Sequence, residues 1–250
     1  MTLDPAFLKR PLAHRGLHGL AQNCPENSPQ AFLQAIRAGY GIELDVQLAA
    51  DGRAMVFHDD VLDRLTGQKG ALREMGSDDL GRITLKHGTD KIPTLDAVLE
   101  LIGGRTPVLI EIKDQDGQLG PNTGALEADC ARALHDYCGP AAVMSFNPYA
   151  VAALKALAPK VSCGLVTADF NSFGWESLSD RRRKQLSSLE HVGKPDVGFI
   201  SHDVRDLGNA RLKTLKSRGV PVLCWTVRSP EQERVARRIA DNITFEGYLA

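Results

Sequence analysis

The chain has 250 residues, 43% of them hydrophobic and 24% charged, and a formal net charge of −1. That length suits one large α/β barrel or two smaller domains, and the apolar fraction can fill a sizeable core. The near-zero charge excludes a global basic field for nucleic acid or anionic lipid, so any recognition of phosphate has to be local.

The segment before Arg15 contains no apolar run of the kind a signal peptide needs, and no stretch approaches the ~18 apolar residues of a membrane helix. The expectation is a cytoplasmic protein with no stable membrane insertion. Five scattered cysteines (Cys24, Cys130, Cys138, Cys163 and Cys224) include no CxxC pair. They read as reduced, mostly buried thiols rather than a zinc or disulfide framework.

In chain order, a short apolar run, 12–15, ends in His14-Arg15-Gly16 and is followed by a Pro-Glu-Asn-Ser turn at 25–28. Ser28 with Pro29 opens a helix over 28–38, and Gly39 stops it. Apolar runs follow at 41–46 and 54–58, separated only by QLAADGR, which is too short for a crossover helix. Residues 59–93 form a polar insertion in which REMGSDDLGRIT reads as one short helix. Thr94 caps a helix over 94–102. Further apolar runs at 107–113, 141–146, 162–167, 197–202 and 221–227 then alternate with helical spacing over 125–137, 148–157, 176–190, 209–218 and 230–240. Gly219 stands where a helix-ending glycine is expected.

Near-continuous apolar runs indicate strands buried on both faces, as in parallel sheets. Eight of them alternating with helices predict a (β/α)8 TIM barrel over 1–250, a single domain with a small insertion, 59–93, after strand three. A doubly wound open sheet competes, but the first strand-to-helix turn lacks GxGxxG.

Active sites of such barrels lie at the carboxyl ends of the strands. There the sequence places His14 and Arg15, Glu43 and Asp45, His58 and Asp59, Glu111 and Lys113, Ser145, His202, and Trp225. Glu43 and Asp45 are two apart on a strand, so both face one way, as do Glu111 and Lys113. Leu44 and Ile112 then face the helices. Three carboxylates in one barrel mouth repel unless a cation neutralises them, and hard oxygen donors without Cys suit Mg²⁺, Ca²⁺ or Mn²⁺ rather than zinc. Other polar residues have plainer readings. His18, His87, His135 and His191 read as capped or surface histidines, and His202 as structural. DRRRK at 180–184 reads as a solvated helix face, and Trp225 reads equally as barrel filling.

Together HRG, PENS, ELDVQLAADG, FHDD, EIK, SF and CWTV, in this order from His14 to Trp225, resemble the glycerophosphodiester phosphodiesterase family. The resemblance implies a (β/α)8 barrel and one divalent cation held by Glu43, Asp45 and Glu111. It implies His14 and His58 as an acid/base pair, with Arg15, Lys113, Glu26, Asn27 and Trp225 around the substrate. The implied partner is a small-molecule glycerophosphodiester, cleaved to glycerol 3-phosphate and an alcohol. One departure is visible. Where family members often carry a Thr-Asp-x-Pro-like segment on the last strand, this chain has Phe245 and Glu246 in NITFEGYLA.

The chemistry fits those residues. A phosphodiester needs its charge neutralised, a nucleophile deprotonated and a leaving alkoxide protonated, and two imidazoles beside fixed cations supply this near neutral pH. The competing readings are a phospholipase-D-like or phosphoinositide-type phosphodiesterase, a metal-dependent aldolase or isomerase, and a catalytically silent barrel acting as a binding module.

Overall fold

The computed structural model describes residues 2–20, 23–172, 174–189 and 197–250. Residue 190, at the end of one expected helix, and His191 lie outside the described residues. The strands are β1 (Leu12–Ala13), β2 (Gly41–Leu48), β3 (Ala54–Val56), β4 (Val108–Ile112), β5 (Ala141–Ser145), β6 (Ser162–Thr167), β7 (Phe199–Asp203), β8 (Val222–Val227) and β9 (Asn242–Phe245). The helices are α1 (Pro29–Ala38), α2 (Ser77–Leu80), α3 (Leu95–Ile102), α4 (Ala125–Leu134), α5 (Pro148–Leu157), α6 (Asp180–Ser187), α7 (Ala210–Ser217) and α8 (Pro230–Ala236).

All strands except β3 are parallel neighbours in the order β1-β2-β4-β5-β6-β7-β8-β9, and β9 returns to pair with β1. This is a closed (β/α)8 barrel. Three details differ from the sequence expectation. The run 54–58 is not a barrel stave: β3 lies antiparallel on β2, with Val46 opposite Val56 and Leu48 opposite Ala54. The short link 49–53 allows a hairpin but not a crossover. Met55 and Phe57 are apolar because the insertion packs on them, through Leu62, Leu72, Leu80, Leu85 and Ile92. The eighth stave is β9, which was not among the eight apolar runs, although the resemblance set NITFEGYLA at the last strand; Leu12 sits opposite Thr244 and Ala13 opposite Phe245. The expected helix within the insertion splits into a 3-10 turn, Leu72–Glu74, and the single turn α2.

The helix signals behave as chemistry requires. Ser28 accepts from the Ala31 N–H with Pro29 in the first turn, and Gly39 closes α1 at φ 76°. Thr94 accepts from the Ala97 N–H at the start of α3. Such caps satisfy N–H groups that have no partner within the helix.

Alternation divides each stave. Ile42, Leu44 and Val46 belong to the outer core with Ile110 and Ile112, under the helices. The barrel interior is a second core of Leu12, Leu109, Met144, Val166, Phe199 and Leu223, with Phe7 of a 3-10 turn (Pro5–Leu8). Asn242 ties that turn down, its amide donating to the carbonyls of Phe7 and Arg10 at 2.6 Å each. Gly164 makes room inside, because a Cβ there would come within 2.5 Å of the Phe199 ring. The interior is therefore filled with apolar side chains at one end, and polar side chains collect at the other.

Candidate active site

The His-Arg-Gly turn is built around two left-handed residues, Arg15 at φ 55° and Gly16 at φ 80°. A Cβ on Gly16 would lie 2.8 Å from the Ala31 Cβ, so the turn can press against α1 only with glycine there. The Arg15 N–H is thereby aimed at Glu43 Oε2, 2.9 Å away.

Glu43, Asp45 and Glu111 point inward from β2 and β4 and are all buried. One carboxylate oxygen from each lies within 4.8 Å of the others, so the trio can hold a metal ion. The donor set also fits, because it consists of hard oxygens with no thiolate or imidazole among them. Burial, with Asp45 and Glu111 beside it, pushes the Glu43 carboxyl well above the usual range. Burial works against ionisation of Asp45 too, but Lys113, His58 and Arg15 outweigh it and hold this carboxyl well below its ordinary value. A cation at the centre would relieve the repulsion recorded at Glu43.

Lys113 enters the same cluster, with Nζ 2.7 Å from Asp45 Oδ1 and 2.6 Å from Glu111 Oε1. Burial opposes its charge, yet the two carboxylates keep the ammonium protonated far above the ordinary lysine range.

The two histidines have parallel surroundings. His14 Nδ1 is 2.6 Å from Glu246 Oε2, and His58 Nδ1 is 2.7 Å from Asp59 Oδ1. Each ring nitrogen Nδ1 is thus occupied by a carboxylate, and Nε2 is left for the cavity that both residues line. Burial lowers the His14 pKa below its ordinary value; Glu246 pulls upward and Arg15 adds to the lowering. The hydrogen bond from His14 holds Glu246 down at about 2.

That cavity, about 420 Å³, is lined by His14, Arg15, Asp45, His58, Glu111 and Lys113, with Phe146 and Trp225 on its apolar side. Trp225 Nε1 donates to the Ser201 carbonyl at 3.1 Å, which fixes the indole in the wall. Glu26 and Asn27 stand behind this first layer. Asn27 donates from Nδ2 to Asp45 Oδ2 at 2.9 Å, while Glu26 Oε1 accepts from Arg15 Nη1 at 2.7 Å. The structure therefore brings all ten proposed site residues into one connected cluster, eight around the cavity and carboxylate trio and two bracing them. His202 is apart from it, fully buried between Thr167 at 2.7 Å and Asp206 at 3.1 Å. Ser145 is likewise turned away, donating to the Ile112 carbonyl. His18 is not a surface histidine: it is half-buried, and Glu246, Glu26 and His14 all act on it electrostatically.

Three residues of the cluster were not among the proposed site residues. Asp59 was visible in FHDD as the neighbour of His58. Glu246 was visible only as a departure from a pattern. Arg64 had no signal; it bridges Asp59, at 2.7 Å from Nε, to Glu26, at 2.8 Å from Nη2. It thereby joins the His58 side of the mouth to the Arg15 side.

Residues 14–244 match the glycerophosphoryl diester phosphodiesterase family. The chain belongs to this family. Its reaction is accordingly hydrolysis of glycerophosphodiesters. A glycerophosphodiester phosphodiesterase from Caldanaerobacter subterraneus subsp. tengcongensis is 34% identical over 243 residues, covering 93% of this chain and 91% of that protein. Among solved structures, a Thermotoga maritima glycerophosphodiester phosphodiesterase superposes with a TM-score of 0.70 at 26% identity, covering 94% of this chain and 92% of that one. A phosphodiesterase from Oleispira antarctica, solved with its product sn-glycerol-3-phosphate, shares the fold with a TM-score of 0.74 at 24% identity, covering 96% of this chain and 94% of that one. Among the described residues, no helix is long and apolar enough to cross a membrane.

Proposed function

We propose that the chain, acting as one catalytic unit, cleaves glycerophosphodiesters to glycerol 3-phosphate and an alcohol. His14 and His58 are its acid/base pair, and Glu43, Asp45 and Glu111 are the holders of one divalent cation, Mg²⁺, Ca²⁺ or Mn²⁺. The observation that carries this reading is the matched pair of imidazoles. Both have Nδ1 engaged by a carboxylate at 2.6–2.7 Å and both line one cavity with Arg15 and Lys113.

A divalent cation held by Glu43, Asp45 and Glu111 would neutralise charge at the phosphoryl oxygens and would make a nearby hydroxyl easier to deprotonate. The side chains do the rest. Arg15, tied through Nη1 to Glu26, presents a fixed guanidinium to one phosphoryl oxygen, and Lys113 offers a proton at Nζ to another. Burial and the neighbouring Arg15 favour the neutral form of His14, which suits it to take the nucleophile's proton at Nε2. His58, less buried, then gives the leaving alkoxide its proton from Nε2. Phe146 and Trp225 keep water off one side of the cavity, where electrostatic contacts are strengthened by its exclusion.

The test is product analysis on a panel of glycerophosphodiesters with and without chelator. The reading requires glycerol 3-phosphate as a product, loss of activity on chelation and recovery with a hard divalent cation. Full turnover by protein shown to be metal-free by elemental analysis would remove the cation from the reading.

A further inference from the structure

Glu246 is the residue at which this chain leaves the pattern expected for the end of its last strand, and the fold delivers it to the reacting groups. β9 closes the barrel beside β1: the His14 N–H donates to the Phe245 carbonyl at 2.9 Å, and the Glu246 N–H to the Val227 carbonyl at 2.9 Å. The backbone on both sides of the His14–Glu246 contact is thus pinned by neighbouring staves. The carboxylate is then within 2.6 Å of His14 Nδ1, and Arg228 Nη2 lies 3.5 Å from the same oxygen.

We propose that Glu246 is a positioning residue, which holds the His14 ring with Nε2 toward the cavity and compensates the charge the ring gains on taking a proton. This rests on the reading of His14 as an acid/base group. A carboxylate beside Nδ1–H fixes which nitrogen is protonated and leaves the lone pair on Nε2. When a hydroxyl of the nucleophile gives its proton to Nε2, the ring becomes imidazolium with Nδ1–H still donated to Glu246, which stays ionised throughout. Asp59 stands in the same relation to His58.

The charged and titratable groups facing His14 are Glu246 just after β9, Arg15 and His18 from its own loop, and Asp45 from β2. Arg228 faces Glu246. Glu246 and Asp45 favour the protonated ring, and Arg15 disfavours it. Removing the Glu246 charge therefore makes the ring harder to protonate.

The experiment is a double-mutant cycle between His14 and Glu246, read by kinetics across pH. Glu246→Gln keeps a hydrogen-bond acceptor of the same length and removes the charge. Its kcat should fall by roughly 10-fold, the cost of exchanging a charge-assisted hydrogen bond for a neutral one, with KM little changed. The acidic limb of its kcat/KM profile should move to lower pH. Glu246→Asp, which restores the charge, should recover part of the loss. In a His14→Ala background, Glu246→Gln should cost nothing further. Unchanged kcat and an unmoved acidic limb in Glu246→Gln, or an equal loss in both backgrounds, would make Glu246 merely a structural end to β9. Unfolding monitored by circular dichroism separates a folding loss from a kinetic one, and Glu246→Asp supplies the cycle if Glu246→Gln does not fold. If His14→Ala alone retains full turnover, the acid/base reading of His14 falls, and this proposal with it. A large loss in His14→Ala with an additive Glu246→Gln overturns this proposal alone.

Discussion

Lys113 is held on two sides by carboxylates, Asp45 at 2.7 Å and Glu111 at 2.6 Å, with 15% of its side chain exposed. An ammonium so placed balances the acidic trio, and under the proposed function it also meets a phosphoryl oxygen of the substrate. Lys113→Met keeps the apolar stem and deletes the charge. Catalytic efficiency should fall by about 1.5–3 kcal/mol, as expected for a lost hydrogen bond to a charged group. High salt should change that loss little, because a contact this enclosed is poorly screened. Steady-state kinetics in low and high salt check both statements, and wild-type efficiency in Lys113→Met would show that Nζ serves the carboxylates alone. Glu246 gives a second expectation at this scale. Its pKa is depressed from 4.5 to about 2 by the bond from His14. A depressed acid contributes stability that is present above its unfolded value and lost as pH falls through the folded one. Glu246→Gln should therefore melt with a shallower pH dependence than the parent between about pH 4.5 and 2. Superimposable curves of melting temperature against pH would contradict the ion pair.

Elements were legible where local chemistry alone decides them. Ser28-Pro29 and Gly39 mark α1, Thr94 marks α3, and Gly219 follows α7 with φ 80°, because caps and left-handed glycines act within a few residues. Ser28→Ala should cost about 1 kcal/mol of unfolding free energy in urea titration, the usual value for a lost cap. An unchanged midpoint would mean that the Ala31 N–H finds another partner. Gly16→Ala tests a different link, from turn to site. It forces an alanine into φ 80° and sets its Cβ 2.8 Å from Ala31, so the turn must shift and carry Arg15 and His14 with it. Activity should fall far more than stability. What was not legible depended on distant partners. The run AMVFH looks like a buried stave because the insertion covers it, and only pairing shows that β3 is a hairpin strand outside the wall. NITF is short and follows a helix, and its role as the closing stave is set by β1, more than two hundred residues earlier. The same distance hid Glu246 as the partner of His14. By contrast, Glu43 with Asp45 and Glu111 with Lys113 were readable, since two residues on one strand share a face whatever the strand pairs with.

At the scale of the whole molecule, one end of the barrel is packed with Phe7, Leu12, Phe199 and Leu223, and the other carries the charged cluster. That separation lets stability and chemistry be changed independently. The cysteines report on the packed part. Cys24, Cys130, Cys163 and Cys224 are buried, with burial pushing Cys24 and Cys163 up to about 11 and Cys224 up to about 12, while Cys138 is exposed. A thiol-specific disulfide reagent should label Cys138 quickly in the folded protein and the other four only on unfolding. Rapid modification of Cys130, Cys163 or Cys224 would mean that the outer core opens. The charged end is judged best by following the ³¹P resonances of a glycerophosphodiester incubated with wild type, His14→Ala and His58→Ala, each with and without chelator. The wild type should release glycerol 3-phosphate, stop on chelation and resume when a hard divalent cation is returned. Each histidine variant should be slower by at least the ~10²-fold expected for a lost acid or base. Release of the phosphorylated alcohol in place of glycerol 3-phosphate, or near wild-type turnover by either histidine variant, would contradict this account of the site.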